Sequence, residues 1–256
     1  MTTATSAPPA WAVVRPEWWL LALSAAAWLA VLALHAAPAG MPLCLAGAVG
    51  GDPTGRLRAA WVSGALGRAL LDWALMTLAM MTPLALPLLR HVVARSFASR
   101  RHRSATLFLA GALAPWLLLG SVGLPLLATA PAWAVGAPWL ATCGLLLAAA
   151  WQLSPMKRTA LRRCHLTMPL AAHGLRADMG CVRQGLAYAG ACVSSCWAMM
   201  LAMEVAPYHP LVAICMQGVV LAERRNCRPP LVQTAVALTF GAVVMSAVAL
   251  RLISVD

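Results

Sequence analysis

The sequence predicts an all-α fold, a polytopic bundle of about seven transmembrane helices, from its composition and from the lengths of its apolar segments. Apolar residues make up 62% of the 256 residues and charged residues only 10%, and the mean hydropathy is +0.79. These values are far from those of soluble domains. Only helices and closed barrels satisfy their backbone inside a bilayer, and the apolar segments have helical length.

Seven segments are candidates for spans, because a helix needs about 20 mostly apolar residues to cross a bilayer. The sixth is short, and if it is a re-entrant element the count falls to six. Residues 1–16 are predicted to be a disordered tail and residues 17–256 a single helical domain. The seven segments are roughly Trp18–Ala37, Leu71–Leu89, Ala105–Thr129, Trp133–Leu153, Gly185–Ala206, Pro210–Ala222 and Leu231–Leu252.

Two of the connections are long. Residues 38–62, rich in Gly and Pro, are predicted to form the one long connection on the outer side. Residues 154–184 form the longest connection on the other side. Ser154 and Pro155 are a helix-start signal, so a short helix is expected there, lying along the membrane surface with its arginines among the lipid headgroups.

The net charge of +12 lies in alternate connections. Residues 90–103, 154–183 and 223–229 are basic, whereas the connections between them are nearly uncharged. This is the positive-inside pattern, which predicts a cytoplasmic N-terminus and an external C-terminus for seven spans. No continuous basic patch with aromatic partners is visible, so no nucleic-acid partner is expected and the lipid bilayer is the predicted surrounding.

Soft donor atoms follow one face of the fifth predicted span. In the segment ACVSSCWAMMLAME, Cys192, Cys196, Met199 and Met203 fall within a stripe about 60° wide at 100° per residue. Met200 lies beside them. Cys thiolates and Met thioethers are the ligands that select Cu(I). The alternative is packing, because Met fills gaps in helical cores and free Cys behaves as a small hydrophobe.

The second predicted span repeats this pattern, with Asp72, Met76 and Met80 spaced by four residues and Met81 to the side. The two spans run in opposite directions, so Asp72 should lie level with Met203 near the outer surface. The candidate metal ligands are Cys192, Cys196, Met199, Met200, Met203, Asp72, Met76, Met80 and Met81. If they form one site, Met76 or Met80 should approach Met199 or Cys196, and a helix separating the two spans would exclude it.

Other features are weaker indications. Pro83 and Pro87 should each leave a backbone carbonyl one turn earlier without its helical hydrogen bond and bend the helix there. The bend either serves binding or is a kink required by packing. Outside the stripes, each donor has an ordinary structural role as the alternative to a metal role. In the spans, Cys143 and the pair Cys215–Met216 are packing residues or further ligands. On the long basic connection, the donors are ordinary loop residues or a transient copper hand-off site: Cys164, His165, Met168, His173 and Cys181. Near the outer ends of spans, His35, His209 and Glu204 are interfacial residues or residues that admit a metal.

At these motifs the chain resembles the bacterial family of predicted metal-binding integral membrane proteins, domain of unknown function 2182. The resemblance is carried by AMMTPLALP after Trp73, by WQLSPMKRTALRRC from Trp151, and by GLAYAGACVSSCWAMM from Gly185. It implies metal binding in the bacterial inner membrane. In that family a second Cys directly precedes the Cys-Trp pair, where this chain has Ser195.

Three functions remain open from the sequence. The first is binding and handling of Cu(I), meaning its transport, storage or delivery, with a metallochaperone or a membrane enzyme as partner. The second is an accessory or catalytic subunit of a membrane-bound copper oxidoreductase, although redox turnover would ordinarily use imidazole and no His lies in a span core. The third is a scaffold for assembly of a partner membrane enzyme. Nucleotide-driven pumping is not expected, because there is no glycine-rich phosphate loop.

Overall fold

The computed structural model describes residues 16–36, 52–130, 138–171, 173–204, 209–226 and 229–253. Within these ranges the chain is helical and contains no strand, which confirms the predicted all-α bundle. The predicted tail at residues 1–16 lies almost entirely outside the described residues. The helices are α1 Pro16–Ala36, α2 Pro53–Val62, α3 Ala65–Ala94, α4 Arg101–Ala128, α5 Pro138–Leu153, α6 Pro155–Arg163, α7 Gly174–Glu204, α8 His209–Arg225 and α9 Leu231–Ile253.

Four helices in the described part of the chain are long and apolar enough to cross a membrane. They are α1, α3, α4 with the preceding turn, and α7, and they coincide with the first, second, third and fifth predicted spans. The fourth and seventh coincide with shorter apolar helices, Leu140–Leu153 and Leu231–Ala247. The sixth is a continuous helix of 17 residues. The count of seven spans stays a prediction.

The long connection predicted over residues 38–62 contains a helix, α2, in its second half, which the sequence pattern did not indicate. Asp52 caps α2, its carboxylate accepting from the Gly55 amide at 3.2 Å. Pro53 follows at the first helical position, where its missing N–H costs nothing. This capping signal stands in the sequence, but the many glycines and prolines around it conceal it.

Helix α7 lies at the centre of the bundle and packs against α4, α5, α6 and α8. Helix α3 packs against α1 and α4, and α9 packs against α5. The closest approach is between α4 and α7, at Gly111 and Gly185. A Cβ atom on Gly185 would lie 2.2 Å from the Phe108 carbonyl oxygen, so only glycine fits there. Small residues commonly permit such contact between membrane helices.

Both prolines predicted to distort the second span lie inside the continuous helix α3. Pro83 has no N–H, so it cannot bond the carbonyl of Ala79 one turn earlier. The hydroxyl of Ser24 in α1 donates to that carbonyl at 2.6 Å in a buried position. The carbonyl freed by Pro83 therefore forms a hydrogen bond that joins α1 to α3.

Ser24→Ala is expected to lower the free energy of unfolding by about 1 kcal/mol, because it leaves the Ala79 carbonyl buried without a partner. Thermal unfolding in detergent would measure the change. Ser121→Ala is the matched control, since the exposed Ser121 hydroxyl bonds only to its own helix at Leu118. Equal thermal midpoints for the two variants would show that the hydrogen bond between α1 and α3 contributes nothing.

Candidate metal centre

The sulfur-bearing side chains of both predicted stripes point into the bundle. Cys192, Cys196, Met199, Met200 and Met203 on α7 are all at most 2% exposed. The same holds for Met76, Met80 and Met81 on α3. Burial alone also fits packing residues. Direct contact between donor atoms is therefore the more informative observation.

The two stripes meet at Met81 and Cys192, whose sulfur atoms lie 3.6 Å apart. Two sulfur ligands of one ion, each about 2.3 Å from it, would lie about 4 Å apart. Helix α4 packs against both α3 and α7, yet at this depth it does not separate them. The contact uses Met81, which the sequence placed beside the stripe. The approach of Met76 or Met80 to Met199 or Cys196 stays a prediction.

Two further thiols lie close to this contact. Cys196 follows Cys192 by one helical turn, so both side chains are on the same face of α7. Cys164 ends α6 and is buried, and the Ser195 hydroxyl lies between it and Cys196, 3.9 Å from the Cys164 sulfur and 3.3 Å from the Cys196 sulfur. We call Met81, Cys164, Cys192 and Cys196 the thiol cluster. Ser195, the departure from the family pattern, occupies its middle.

A partly buried arginine lies against the thiol cluster. The Arg224 guanidinium donates to the Cys192 sulfur at 2.9 Å and to the Tyr188 hydroxyl at 2.6 Å. A fixed positive charge at this distance offsets the negative charge of a thiolate or of a metal-thiolate complex. The sequence pattern counted Arg224 only among the basic residues after the sixth span. In the structure it lies in the last turn of α8 and its guanidinium contacts two residues of α7.

A second charged pair is buried at the same end of the bundle. The Lys157 ammonium of α6 lies 2.8 Å from the Glu223 carboxylate of α8, and both side chains are fully buried. Helix α6 begins as expected, with the Ser154 hydroxyl accepting from the Met156 amide at 3.1 Å. Its arginines are exposed, whereas Lys157 on the same helix is buried. Glu223 stands out by no motif, and no spacing rule pairs these two residues.

A pocket of about 250 Å³ leads to the thiol cluster. Its lining includes Pro83, Pro87, Cys164, Leu221 and Arg224. Burial raises the pKa of the Cys164 thiol, so this thiol holds its proton at neutral pH. Cys164, predicted to be a loop residue or a hand-off residue, is thus both a wall of the pocket and a neighbour of Ser195.

Asp72 lies apart from the thiol cluster, with histidines rather than with methionines. Its Oδ2 atom is 3.6 Å from His35 Nε2 and 3.7 Å from His209 Nδ1. His209 Nε2 lies 3.6 Å from a Glu204 oxygen. We call His35, Asp72, His209 and Glu204 the histidine cluster. The sequence analysis considered each of these residues singly, and their adjacency depends on contacts between four helices that no local pattern contains.

Other sulfur donors in the described part of the chain have different surroundings. Cys143 and Cys215 are exposed and Cys181 is buried. Met199 accepts a hydrogen bond from the buried Gln152 amide at 3.3 Å, so its thioether has a protein partner.

A model of one protein family matches residues 70–250, which is more than half of the chain and covers α3 to α9. Its description is PpoB2, copper chaperone. The match supports a copper-related protein, as the sulfur stripes predicted. The name of this family model differs from that of the family of predicted metal-binding membrane proteins, which the sequence motifs resemble. No curated protein and no solved structure matches the chain. The chain belongs to the copper chaperone family that this model describes.

Proposed function

We propose that this protein binds Cu(I) inside the bundle, through the thiol cluster, and passes it on to a partner. The observation that carries the proposal is the 3.6 Å contact between the sulfur atoms of Met81 and Cys192. It brings a thioether and a thiol from two separate helices to one point, with Cys196 one turn away. Soft sulfur donors at low coordination number suit Cu(I) better than the harder divalent ions.

The binding step exchanges protons for the metal. One Cu(I) ion and two thiols give a bis-thiolate complex of charge −1 and two released protons, and Met81 adds a neutral third donor. A net negative complex is costly in an apolar bundle. The Arg224 guanidinium, 2.9 Å from Cys192, would neutralise it. Because the ligands must lose protons, the apparent affinity for Cu(I) rises with pH.

The delivery step uses the third thiol. Cys164 lies beside Ser195 and lines the pocket that ends at Arg224. An ion held by Cys196 and Cys192 would transfer to Cys164 by ligand exchange. The Cys164 thiol would lose its proton as it binds, the leaving thiolate would take up a proton, and the oxidation state of the ion would not change. We propose that this pocket faces the cytoplasm of a bacterial inner-membrane protein with a cytoplasmic N-terminus. A metallochaperone or a membrane copper enzyme would be the partner there.

The buried methionines Met76, Met80, Met199, Met200 and Met203 would serve as weaker sites along the bundle axis. A thioether binds Cu(I) less strongly than a thiolate does, so single replacements should weaken transfer without abolishing binding. These residues extend from the thiol cluster towards the end of the bundle that carries Asp72 and Glu204. That placement suits passage of an ion along the bundle.

The deciding experiment replaces both cysteines of α7. Cys192→Ser/Cys196→Ser is expected to abolish the binding of one Cu(I) per chain, measured by copper analysis after anaerobic loading and competition with a Cu(I) chelator. X-ray absorption of the wild type should show sulfur ligands at about 2.3 Å. Met81→Leu, which keeps the volume, should lower the affinity roughly tenfold and leave the stoichiometry unchanged.

The matched control is Cys143→Ser/Cys215→Ser, which removes two exposed cysteines and should bind copper as the wild type does. Helical circular dichroism and a single elution peak in detergent establish that each variant is folded. Full copper binding by the folded Cys192→Ser/Cys196→Ser variant would exclude the thiol cluster. A wild type that binds no Cu(I) would exclude the proposed function itself.

A further inference from the structure

The histidine cluster has the spacing of a metal site. The donor atoms of His35, Asp72 and His209 all lie within 4.8 Å of one another. Ligands about 2.0–2.2 Å from one ion in tetrahedral geometry lie about 3.4 Å apart. The observed separations of 3.6 and 3.7 Å are close to that value, and they are longer than ordinary hydrogen bonds.

Both histidines turn one ring nitrogen towards Asp72. His35 Nδ1 lies 3.0 Å from the Val31 carbonyl, and because a carbonyl can only accept, this nitrogen carries the proton. The lone pair of His35 is therefore on Nε2, the atom that faces Asp72. His209 places Nδ1 towards Asp72 and Nε2 towards Glu204. A carboxylate behind a ligand histidine is the usual outer-shell arrangement of metal sites.

The cluster also contains buried polar atoms without hydrogen-bond partners. They are Oδ1 of Asp72 and both ring nitrogens of His209. Buried polar atoms in native structures normally have hydrogen-bond partners, so these atoms indicate that a partner is missing from the site. Access is open, since the side chains are partly exposed, from 12% for His209 to 33% for His35. Arg68, one turn before Asp72, donates to the Leu34 carbonyl.

We propose that His35 Nε2, Asp72 Oδ2 and His209 Nδ1 bind one divalent first-row transition-metal ion, with Glu204 as the positioning residue for His209. Two imidazoles and a carboxylate suit Cu²⁺ and Zn²⁺, and among divalent ions Cu²⁺ binds such a site most strongly. Water would occupy the remaining position. Mg²⁺ and Ca²⁺ are not expected to bind this site, because they require mostly oxygen donors.

The site is separate from the thiol cluster and does not depend on the proposed Cu(I) function. His209 begins α8 and Arg224 lies in its last turn, about 22 Å away along the helix at a rise of 1.5 Å per residue. The two sites also differ in chemistry, with nitrogen and oxygen donors at one end and sulfur at the other. Each can therefore be tested in the absence of the other.

The test uses the full chain in detergent with Cys192→Ser/Cys196→Ser as the background, so that these thiols neither bind nor reduce the added metal. One equivalent of Cu²⁺ is added, and electron paramagnetic resonance counts the coordinated nitrogens. Zn²⁺ affinity is measured in parallel against a chromophoric chelator. We expect two imidazole nitrogens on Cu²⁺ and one Zn²⁺ per chain.

The variants His35→Gln, Asp72→Asn and His209→Gln should each weaken Zn²⁺ binding by roughly a hundredfold or more, and each histidine variant should lose one nitrogen from the Cu²⁺ spectrum. Glu204→Gln should weaken binding by about 10–100-fold while both nitrogens remain, because it acts through His209. His91→Gln, at the opposite end of α3 from Asp72, is the matched control and should bind as the background does.

Two results would overturn the proposal. The first is a background protein that binds neither ion, which would mean that the cluster is an ion-pair network only. The second is a Cu²⁺ spectrum that keeps its nitrogen count in the folded His35→Gln/His209→Gln variant, which would place the metal elsewhere. If that variant fails to fold, the nitrogen count of the background and the Glu204→Gln affinity still decide. None of these results depends on whether Cu(I) binds to the thiol cluster.

Discussion

Gly185→Leu is expected to prevent the bundle from forming a stable, monodisperse protein. A Cβ atom at this position would lie 2.2 Å from the Phe108 carbonyl oxygen and 2.9 Å from the Ala112 amide nitrogen. Both are backbone atoms of α4, so no side chain can rotate out of the way. The helices would have to separate along the closest interface of the bundle, which should cost more than the ~1–3 kcal/mol of ordinary overpacking.

Expression level, elution profile in detergent and thermal midpoint would measure this effect. Gly190→Leu is the matched control, since the same substitution on the same helix meets open space at an exposed position. Gly185→Ala should give an intermediate loss of stability, because it adds the clashing Cβ alone. A Gly185→Leu protein with the thermal midpoint of Gly190→Leu would mean that α4 and α7 do not approach as closely as the structure has them.

Lys157→Met is expected to lower the free energy of unfolding by about 3–5 kcal/mol, because it leaves the Glu223 carboxylate buried without its partner. Both side chains are fully buried and 2.8 Å apart. The double variant Lys157→Met/Glu223→Met should recover most of this loss, since a buried ion pair can be replaced by apolar side chains of similar volume at little cost.

A double-mutant cycle in chemical denaturant would measure the coupling between the two residues. Arg158→Met controls for the loss of a positive charge from α6, because Arg158 is exposed and its removal should change stability by less than about 0.5 kcal/mol. If the two single variants and the double variant were all as stable as the wild type, Lys157 and Glu223 would not form a buried pair.

The fold class was predictable because it depends on local properties of the chain. Apolar segments of helical length predicted the bundle, and Ser154–Pro155 predicted the start of α6. Helix α2 was not predicted, although Asp52–Pro53 is a good capping signal, because the surrounding glycines and prolines conceal that signal. How many of the helices span a membrane also depends on the lipid and on neighbouring helices, which periodicity alone does not contain.

The candidate site was predictable only in part. Helical periodicity identified the sulfur stripes, and their burial agrees with it. The contact of Met81 with Cys192, the inward turn of Arg224 and the pairing of Lys157 with Glu223 are contacts between helices far apart in sequence. Basic residues near span ends usually mark the cytoplasmic side, and that rule does not indicate which of them contact buried groups, as Arg224 and Lys157 do.

The long sequence separation between Lys157 and Glu223 also constrains how the chain is assembled. During synthesis, α6 emerges well before α8, and at about 5–20 residues per second the ribosome needs several seconds to supply the partner carboxylate. Helix α5 completes its packing later still, because it packs against the last helix, α9. Helices α1, α3 and α4 can associate early, whereas the α5–α6 region reaches its final arrangement only when the C-terminal third arrives. A truncated chain that ends before Glu223 would retain the buried Lys157 ammonium without its partner, and quality-control proteases would be expected to degrade it.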